Sequence, residues 1–234
     1  GYTAPEESAH DLFKVGHTST SVSLATGLAK GRDLRGGKEN IVAIIGDGSL
    51  SGGEAFEGLD NAAVLGSNII VIVNDNDMSI AKNEGGLYGN LKLLRDTNGE
   101  AECNFFKALG FEYHYLNDGH DIQAMIDLFN KVKDSNHPIL IHLRTIKGKG
   151  FEVAELDKEK YHWILPGTLD KKDNITQNSK TEDYGSITAD YIENKYNEDN
   201  TVIAISPATP AVSGFTPAFR DKAGIHYTDV GIAE

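Results

Sequence analysis

The sequence predicts an α/β protein in which helices cover both faces of a mainly parallel sheet. Three observations carry that prediction. Short apolar, β-branched runs recur along the chain. Longer stretches with helical spacing of apolar residues separate them. Glycine-rich or polar breaks follow the apolar runs, where open α/β sheets place their binding loops.

Taken in order, residues 18–34 read as a helix, although Gly27 and several Ser and Thr lower its propensity. Residues 41–45 read as a short buried strand, 53–65 as a helix and 69–74 as a second buried strand. Residues 101–109 look helical and 111–116 strand-like. Residues 121–133 look helical, with apolar Ile122, Met125, Ile126 and Phe129, and 138–143 form a further strand candidate. Residues 147–180 are polar and irregular, with Trp163 and Pro166 among Lys, Asp and Asn, so their later part reads as a linker. A second α/β unit follows: helix 184–196, strand 201–205, helix 214–222 and strand 225–230. The expected organisation is a first domain at 1–165, a linker at 166–183 and the start of a second domain at 184–234. That second unit is too small for a finished domain. The chain closes on "DVGIAE", where a strand should hand over to a loop, so a fragment of a longer protein is expected.

Composition narrows the function. The 234 residues are 39% apolar, enough for a core. No apolar run approaches the roughly 18 residues of a membrane span. Residues 1–12 are polar and acidic, unlike a signal peptide. The single Cys103 fits a reducing cytoplasm and excludes an internal disulfide framework. A net charge of −13 argues against nucleic acid as the main partner. It also means that a phosphate-bearing ligand would need a local cation or helix N-termini.

The stretch "IIGDGSLSGGEAFE", residues 44–57, has the form of a phosphate-cradling loop without a basic residue. A P-loop requires G-x-x-x-x-G-K-[ST], and no lysine is present. A dinucleotide fingerprint requires G-x-G-x-x-G, whereas Gly46, Gly48 and Gly52 are off by one. In a third reading, Asp47 at a strand end holds Mg²⁺, the metal meets a diphosphate, and backbone N–H groups of Gly48 and Ser49 complete the site. Mg²⁺ then requires further oxygen ligands, and the next strand delivers "VIVNDNDMSI", with Asn76 lying 29 residues after Asp47. Each piece alone is as readily a tight turn or a polar loop. The pair at this spacing, on adjacent apolar strands, favours the metal reading.

Gly46-Asp47-Gly48 followed by Asn74-Asp75-Asn76 resembles the thiamine-diphosphate motif. Within that superfamily the chain is similar to the 1-deoxy-D-xylulose-5-phosphate synthase family. The stretches that carry the resemblance are "ESAHDLFKVGHTSTSVSLATGLA", "GDGSLSGGEAFEGLDNAA", "NDNDMSIAKNEGGL", "FFKALGFEYHYLNDGHD", "KGKGFEVAE" and "DVGIAE". The resemblance implies the thiamine-diphosphate-binding fold, three layers α/β/α, with a diphosphate-binding first domain and the start of a pyrimidine-binding second one. It implies thiamine diphosphate and Mg²⁺ as cofactors. Asp47, the Asn76 side chain and the Met78 carbonyl would hold the metal, and Gly48 and Ser49 would lie against the diphosphate. Gly16, His17 and Thr18 would line the cofactor, and Phe151 would sit near it, where the family usually has Tyr. His162 would lie near substrate, and Glu234 would contact the aminopyrimidine ring as a catalytic group.

The implied reaction joins pyruvate, with loss of carbon dioxide, to D-glyceraldehyde 3-phosphate. The product, 1-deoxy-D-xylulose 5-phosphate, is a precursor of isoprenoids, thiamine and pyridoxal. His17 and His162 are the proton-handling candidates. Apart from the resemblance, a loop histidine is most often structural or solvated, and His10, His120 and His142 are read as structural. Lys147 and Lys149 are within reach of a phosphate, but a solvated basic turn is the plainer reading. The resemblance also implies a homodimer. Phe151 and the short stretch between Asn90 and Asn104 mark a divergent branch. Two other readings stay open: a transketolase-type ketol transferase, and a non-catalytic fragment or subunit that binds thiamine diphosphate.

Overall fold

The computed structural model describes residues 2–164 and 183–233. The chain divides into two compact units. The first comprises the described residues up to Ser79 together with Gly85–Thr145. The second comprises Ile80–Glu84 and the described part of Ile146–Ala233.

In the first unit, α1 (Ser21–Leu34) leads into β1 (Val42–Gly46), a short helix α2 (Asp47–Leu50) and α3 (Gly53–Ala63). Then come β2 (Ile69–Asp75), α4 (Gly86–Asp96), α5 (Phe105–Leu109), β3 (Glu112–Leu116), α6 (Ile122–Val132) and β4 (Pro138–Arg144). The strands pair in the order β1-β2-β4-β3, all parallel. Gly46 is in register with Asn74, and Asp75 with Arg144. The carboxyl ends of β1 and β2, and the loops beyond them, therefore lie side by side.

Strand periodicity sorts the core into two layers. Ile69, Val71 and Val73 of β2 join Ala43, Ile45 and Leu140 in one cluster with Val22, Ala25, Leu59 and Leu91 from the helices. Ile70 and Ile72 face the other way, with Ile139, Ile141, Leu143 and Val132. Met125, Leu128 and Phe129 of α6 close that second layer. Both faces of β2 are thus covered, as its unbroken apolar run demands. Each such fully buried side chain contributes about 1.5–3 kcal/mol relative to exposure. On α6 the packed face differs from the expected one, because Ile122 and Ile126 are exposed while Leu128 and Val132 face the sheet.

In the second unit, α7 (Glu152–Leu156), α8 (Tyr184–Glu198), β5 (Ala204–Ser206), α9 (Pro217–Ala223) and β6 (Tyr227–Asp229) follow in order. The two strands pair in parallel, and Ala189, Tyr196, Ala204, Phe215, Phe219 and Ala223 form their own small core.

Local chemistry moves several boundaries from those expected. α1 starts at Ser21 because Ser19 takes a left-handed backbone, φ 71°, that no helix continues through. α5 starts at Phe105 because the Asn104 side chain accepts from the Phe106 and Lys107 N–H groups as an N-cap. α9 starts at Pro217 because Thr216 caps it and proline suits the first helical position. Thr201, expected in a strand, is held in a turn by Asp199, whose Oδ1 accepts from its N–H and its hydroxyl. α4 has no counterpart in the sequence reading, because Gly85, Gly86 and Gly89 mask its apolar period of Leu87, Tyr88, Leu91 and Leu94.

Candidate functional site

The loops after β1 and β2 meet through Asp47. Its carboxylate, 2% exposed, accepts from the Gly48 N–H through Oδ1 and from the Met78 N–H through Oδ2, each at 3.0 Å. Gly48 packs so closely on the second loop that a Cβ there would stand 2.9 Å from Ser79 Cβ, so only glycine fits without displacing the loop. Tyr88 of α4 donates its hydroxyl toward the carbonyls of Asp47 and Gly48, both at 3.3 Å. Burial raises the Tyr88 pKa, so it stays a protonated donor.

A third segment joins them. Thr18 Oγ1 and Ser49 Oγ share a hydrogen bond of 2.5 Å, and Ser19 Oγ donates to the Ser49 carbonyl at 2.8 Å. His17 is exposed, with Nδ1 2.7 Å from the Thr18 carbonyl. A cavity of about 420 Å³ opens beside this segment, lined by His17, Thr18, Gly46 and Ser49 among others.

Within "NDND" the four polar side chains do different work. Asn74 Oδ1 accepts from Thr145 Oγ1 at 2.6 Å. Asp75 is wholly buried and accepts from Arg95 Nη1 at 2.8 and 2.6 Å, His142 Nε2 at 2.8 Å and the Asp77 N–H at 3.0 Å. Asp77 Oδ1 accepts from Arg95 Nη2 at 2.7 Å. Asn76 Oδ1 is buried and has no hydrogen-bond partner. A buried acceptor left in that state costs about 1–3 kcal/mol unless a ligand satisfies it.

Burial alone would raise the Asp75 pKa, but the hydrogen bonds from His142 and Arg95 outweigh it and hold the carboxyl below its ordinary value. Asp75 is therefore ionised and only accepts. His142 Nε2 then carries the proton, so Nδ1 accepts from the Tyr113 hydroxyl at 2.8 Å. Burial pushes the Tyr113 pKa upward, which keeps that hydroxyl a donor.

The donor set that could meet a cation is one carboxylate and one amide oxygen, with backbone carbonyls nearby. Among the described residues, no group of three or more His, Cys, Asp or Glu is arranged to hold a metal ion. Hard oxygen donors of this kind suit Mg²⁺ rather than a thiolate- or imidazole-seeking metal. The unpartnered Asn76 Oδ1 and the glycine-only approach at Gly48 both fit a cation bridging to an anionic ligand.

The first unit thus brings Gly16, His17, Thr18, Asp47, Gly48, Ser49, Asn76 and Met78 onto neighbouring segments, with Asp47, Gly48 and Ser49 in α2. Phe151 and His162 belong to the second unit. Phe151 is half-exposed and precedes α7, with its ring edge-on to Tyr161 at 5.9 Å. His162 Nδ1 lies 2.8 Å from Lys147 Nζ. Burial, and then the Lys147 charge, lower the His162 pKa, so the neutral ring accepts at Nδ1 and keeps its proton on Nε2. Glu234 lies outside the described residues, as does the expected linker apart from Asp183.

Sequence reasoning missed Arg95 and Tyr113 and named no partners for His142, which it read as structural and which is buried between Asp75 and Tyr113. One signal was present: His142 stands in the apolar run "PILIHL", and a histidine buried in a central strand must find partners.

The fold and these loops define an open parallel α/β protein whose candidate ligand site lies at adjacent strand ends. The family profile described as 1-deoxy-D-xylulose-5-phosphate synthase matches residues 1–102 and 97–145. The chain belongs to this family. It is 36% identical to 1-deoxy-D-xylulose-5-phosphate synthase 1 of Geobacter metallireducens, over all of this chain and 43% of that protein. It is 36% identical to 1-deoxy-D-xylulose-5-phosphate synthase of Listeria monocytogenes, over all of this chain and 39% of that one. It is 37% identical to the synthase of Buchnera aphidicola, over 98% of this chain and 38% of that one. The chain therefore spans about two fifths of the length of these relatives.

Proposed function

We propose that the intact protein joins pyruvate, with loss of carbon dioxide, to D-glyceraldehyde 3-phosphate, giving 1-deoxy-D-xylulose 5-phosphate, and uses thiamine diphosphate and Mg²⁺ to do so. Family membership supports the reaction. The observation that carries the cofactor reading is the buried, unpartnered Asn76 Oδ1 beside the loop held by Asp47.

In this reading Asp47, Asn76 and the Met78 carbonyl hold the cation, and Gly48 and Ser49 lie against the diphosphate. Thr18 ties the Gly16–His17 segment to Ser49 and so fixes that wall of the site. When bound, thiamine diphosphate supplies the electron sink that lets a 2-keto acid lose carbon dioxide. Glu234 would contact the aminopyrimidine ring, and Phe151 would lie near the cofactor. His162, neutral and held by Lys147, presents an Nε2 proton and so acts as a hydrogen-bond donor to substrate oxygen. His17 is the second proton-handling group. The diphosphate-binding role falls to residues 1–165 and the pyrimidine-binding role to 184–234 with the rest of its domain, in a cytoplasmic homodimer. Among the described residues, no helix is long and apolar enough to cross a membrane.

Calorimetric titration with thiamine diphosphate, with and without Mg²⁺, tests the cofactor reading. Binding should require Mg²⁺ and be lost in Asp47→Ala. Absence of binding by the unaltered protein, or binding indifferent to Asp47→Ala, overturns it. Carbon dioxide release from pyruvate dependent on the aldehyde supports the synthase, whereas turnover of a ketose phosphate donor contradicts it.

A further inference from the structure

Arg95 lies outside every stretch that suggested the metal site, yet its guanidinium reaches both residues that flank Asn76. Nη1 contacts both oxygens of Asp75, and Nη2 contacts Asp77 Oδ1 at 2.7 Å. The backbone turns at the second of these carboxylates, Asp77, which is left-handed with φ 63°. The Met78 N–H immediately beyond that turn reaches Asp47 Oδ2. The Arg95 side chain is itself nearly buried, 10% exposed, and so is Asp75, while the Asp77 side chain is 64% exposed.

Three carboxylates therefore stand on two adjoining loops, and one guanidinium engages two of them. With those two held by Arg95, the metal reading draws on Asp47 and the neutral Asn76 oxygen. A divalent cation gathered by one carboxylate keeps half of its charge for a diphosphate. A cation gathered by three would be neutralised before the diphosphate arrived.

Resting on the metal reading above, we propose that Arg95 is a positioning residue: it withholds Asp75 and Asp77 from the cation and so reserves the cation's charge for the diphosphate. The function assigned to it is ligand selectivity, not only the shape of the loop. Asp75 is also held by His142, which Tyr113 holds in turn, so it is the less mobile of the pair. Asp77, exposed and tethered by Arg95, is the carboxylate that would turn toward the cation on release.

The test uses Arg95→Lys, which keeps a positive charge beside buried Asp75 but cannot fork across two carboxylates. Calorimetry on the intact protein at saturating Mg²⁺ should show thiamine-diphosphate affinity lowered about 10-fold, the usual effect of disturbing a group behind a metal ligand. Adding Asp77→Asn to that variant should restore most of the loss, because the competing carboxylate is gone. A merely structural role predicts no such rescue. Asp77→Asn alone, at an exposed position that tolerates the change, should bind within about 3-fold of the unaltered protein, in line with the small worth of an exposed ion pair. Unchanged affinity in Arg95→Lys, absence of rescue, or a tenfold loss in Asp77→Asn alone would each overturn the proposal. If the unaltered protein shows no Mg²⁺-dependent binding, the metal reading fails and this proposal fails with it.

Discussion

At the end of β6, Asp229 turns the chain by accepting from the Ala208 N–H at 3.0 Å, the Gly231 N–H at 2.9 Å and the Tyr227 hydroxyl at 3.2 Å. At the end of β2, Asp75 also organises a turn, but most of its partners are the charged and titratable side chains Arg95 and His142. The first arrangement needs only an acceptor oxygen, which an amide can supply as well as a carboxylate. The second needs the negative charge, because a nearly buried guanidinium faces it. Beside the second lies a buried acceptor with no hydrogen-bond partner, Asn76 Oδ1. The contrast separates a turn that needs only an acceptor oxygen from one that depends on a buried ion pair.

The same substitution at the two strand ends breaks or sharpens that contrast most strongly. Asp75→Asn removes the counter-charge of Arg95 and sets an N–H₂ donor among donors. Denaturant unfolding should show a loss of about 3 kcal/mol, toward the lower end for a broken buried pair because Asp77 still faces Arg95. Asp229→Asn keeps an acceptor for both backbone N–H groups and should cost less than about 1 kcal/mol. Equal losses at the two positions would dissolve the comparison.

Gly48→Ala comes next in size. The added methyl would meet Ser79 at 2.9 Å and must push the two loops apart. Thermal unfolding should report about 1–3 kcal/mol of strain, with weaker Mg²⁺-dependent binding by calorimetry.

Lys147→Met is the mildest change. Burial and then the Lys147 charge hold the His162 pKa below 6.5. The folded chain thus binds fewer protons than the unfolded one in the window between that lowered value and 6.5. Stability from this group is fully present above 6.5 and is lost as pH falls through that window to the lowered value. Removing Lys147 should move the His162 titration, followed by proton NMR, upward toward the ordinary value. A shift downward would contradict the neutral, Nε2-protonated assignment.

The parallel sheet was legible because β2 and β4 are unbroken apolar runs, which only a strand buried on both faces can use. The neighbouring placement of the Asp47 and Asn76 segments was legible because each follows one of two consecutive apolar strands, whose ends pair at Gly46 and Asn74. The supporting network was not. Arg95 is 20 residues from Asp75, His142 is 67 away, and Tyr113 meets His142 across 29, with no motif to tie them. Only the tertiary fold brings α4, β3 and β4 to one point. Within "NDND", sequence alone treats four polar residues alike, whereas hydrogen bonding assigns Asn74, Asp75 and Asp77 to the scaffold and leaves the Asn76 oxygen without a partner.

Asn76→Ala tests the central claim most directly, because the claim sets stability and binding apart at this residue. Unfolding free energy and Mg²⁺-dependent thiamine-diphosphate binding should be measured on the same preparation. Removing an unsatisfied buried oxygen should leave stability within about 1 kcal/mol of the unaltered protein, or raise it, while binding falls at least about 10-fold. A clear loss of stability with unchanged binding would make Asn76 a structural residue and contradict the account.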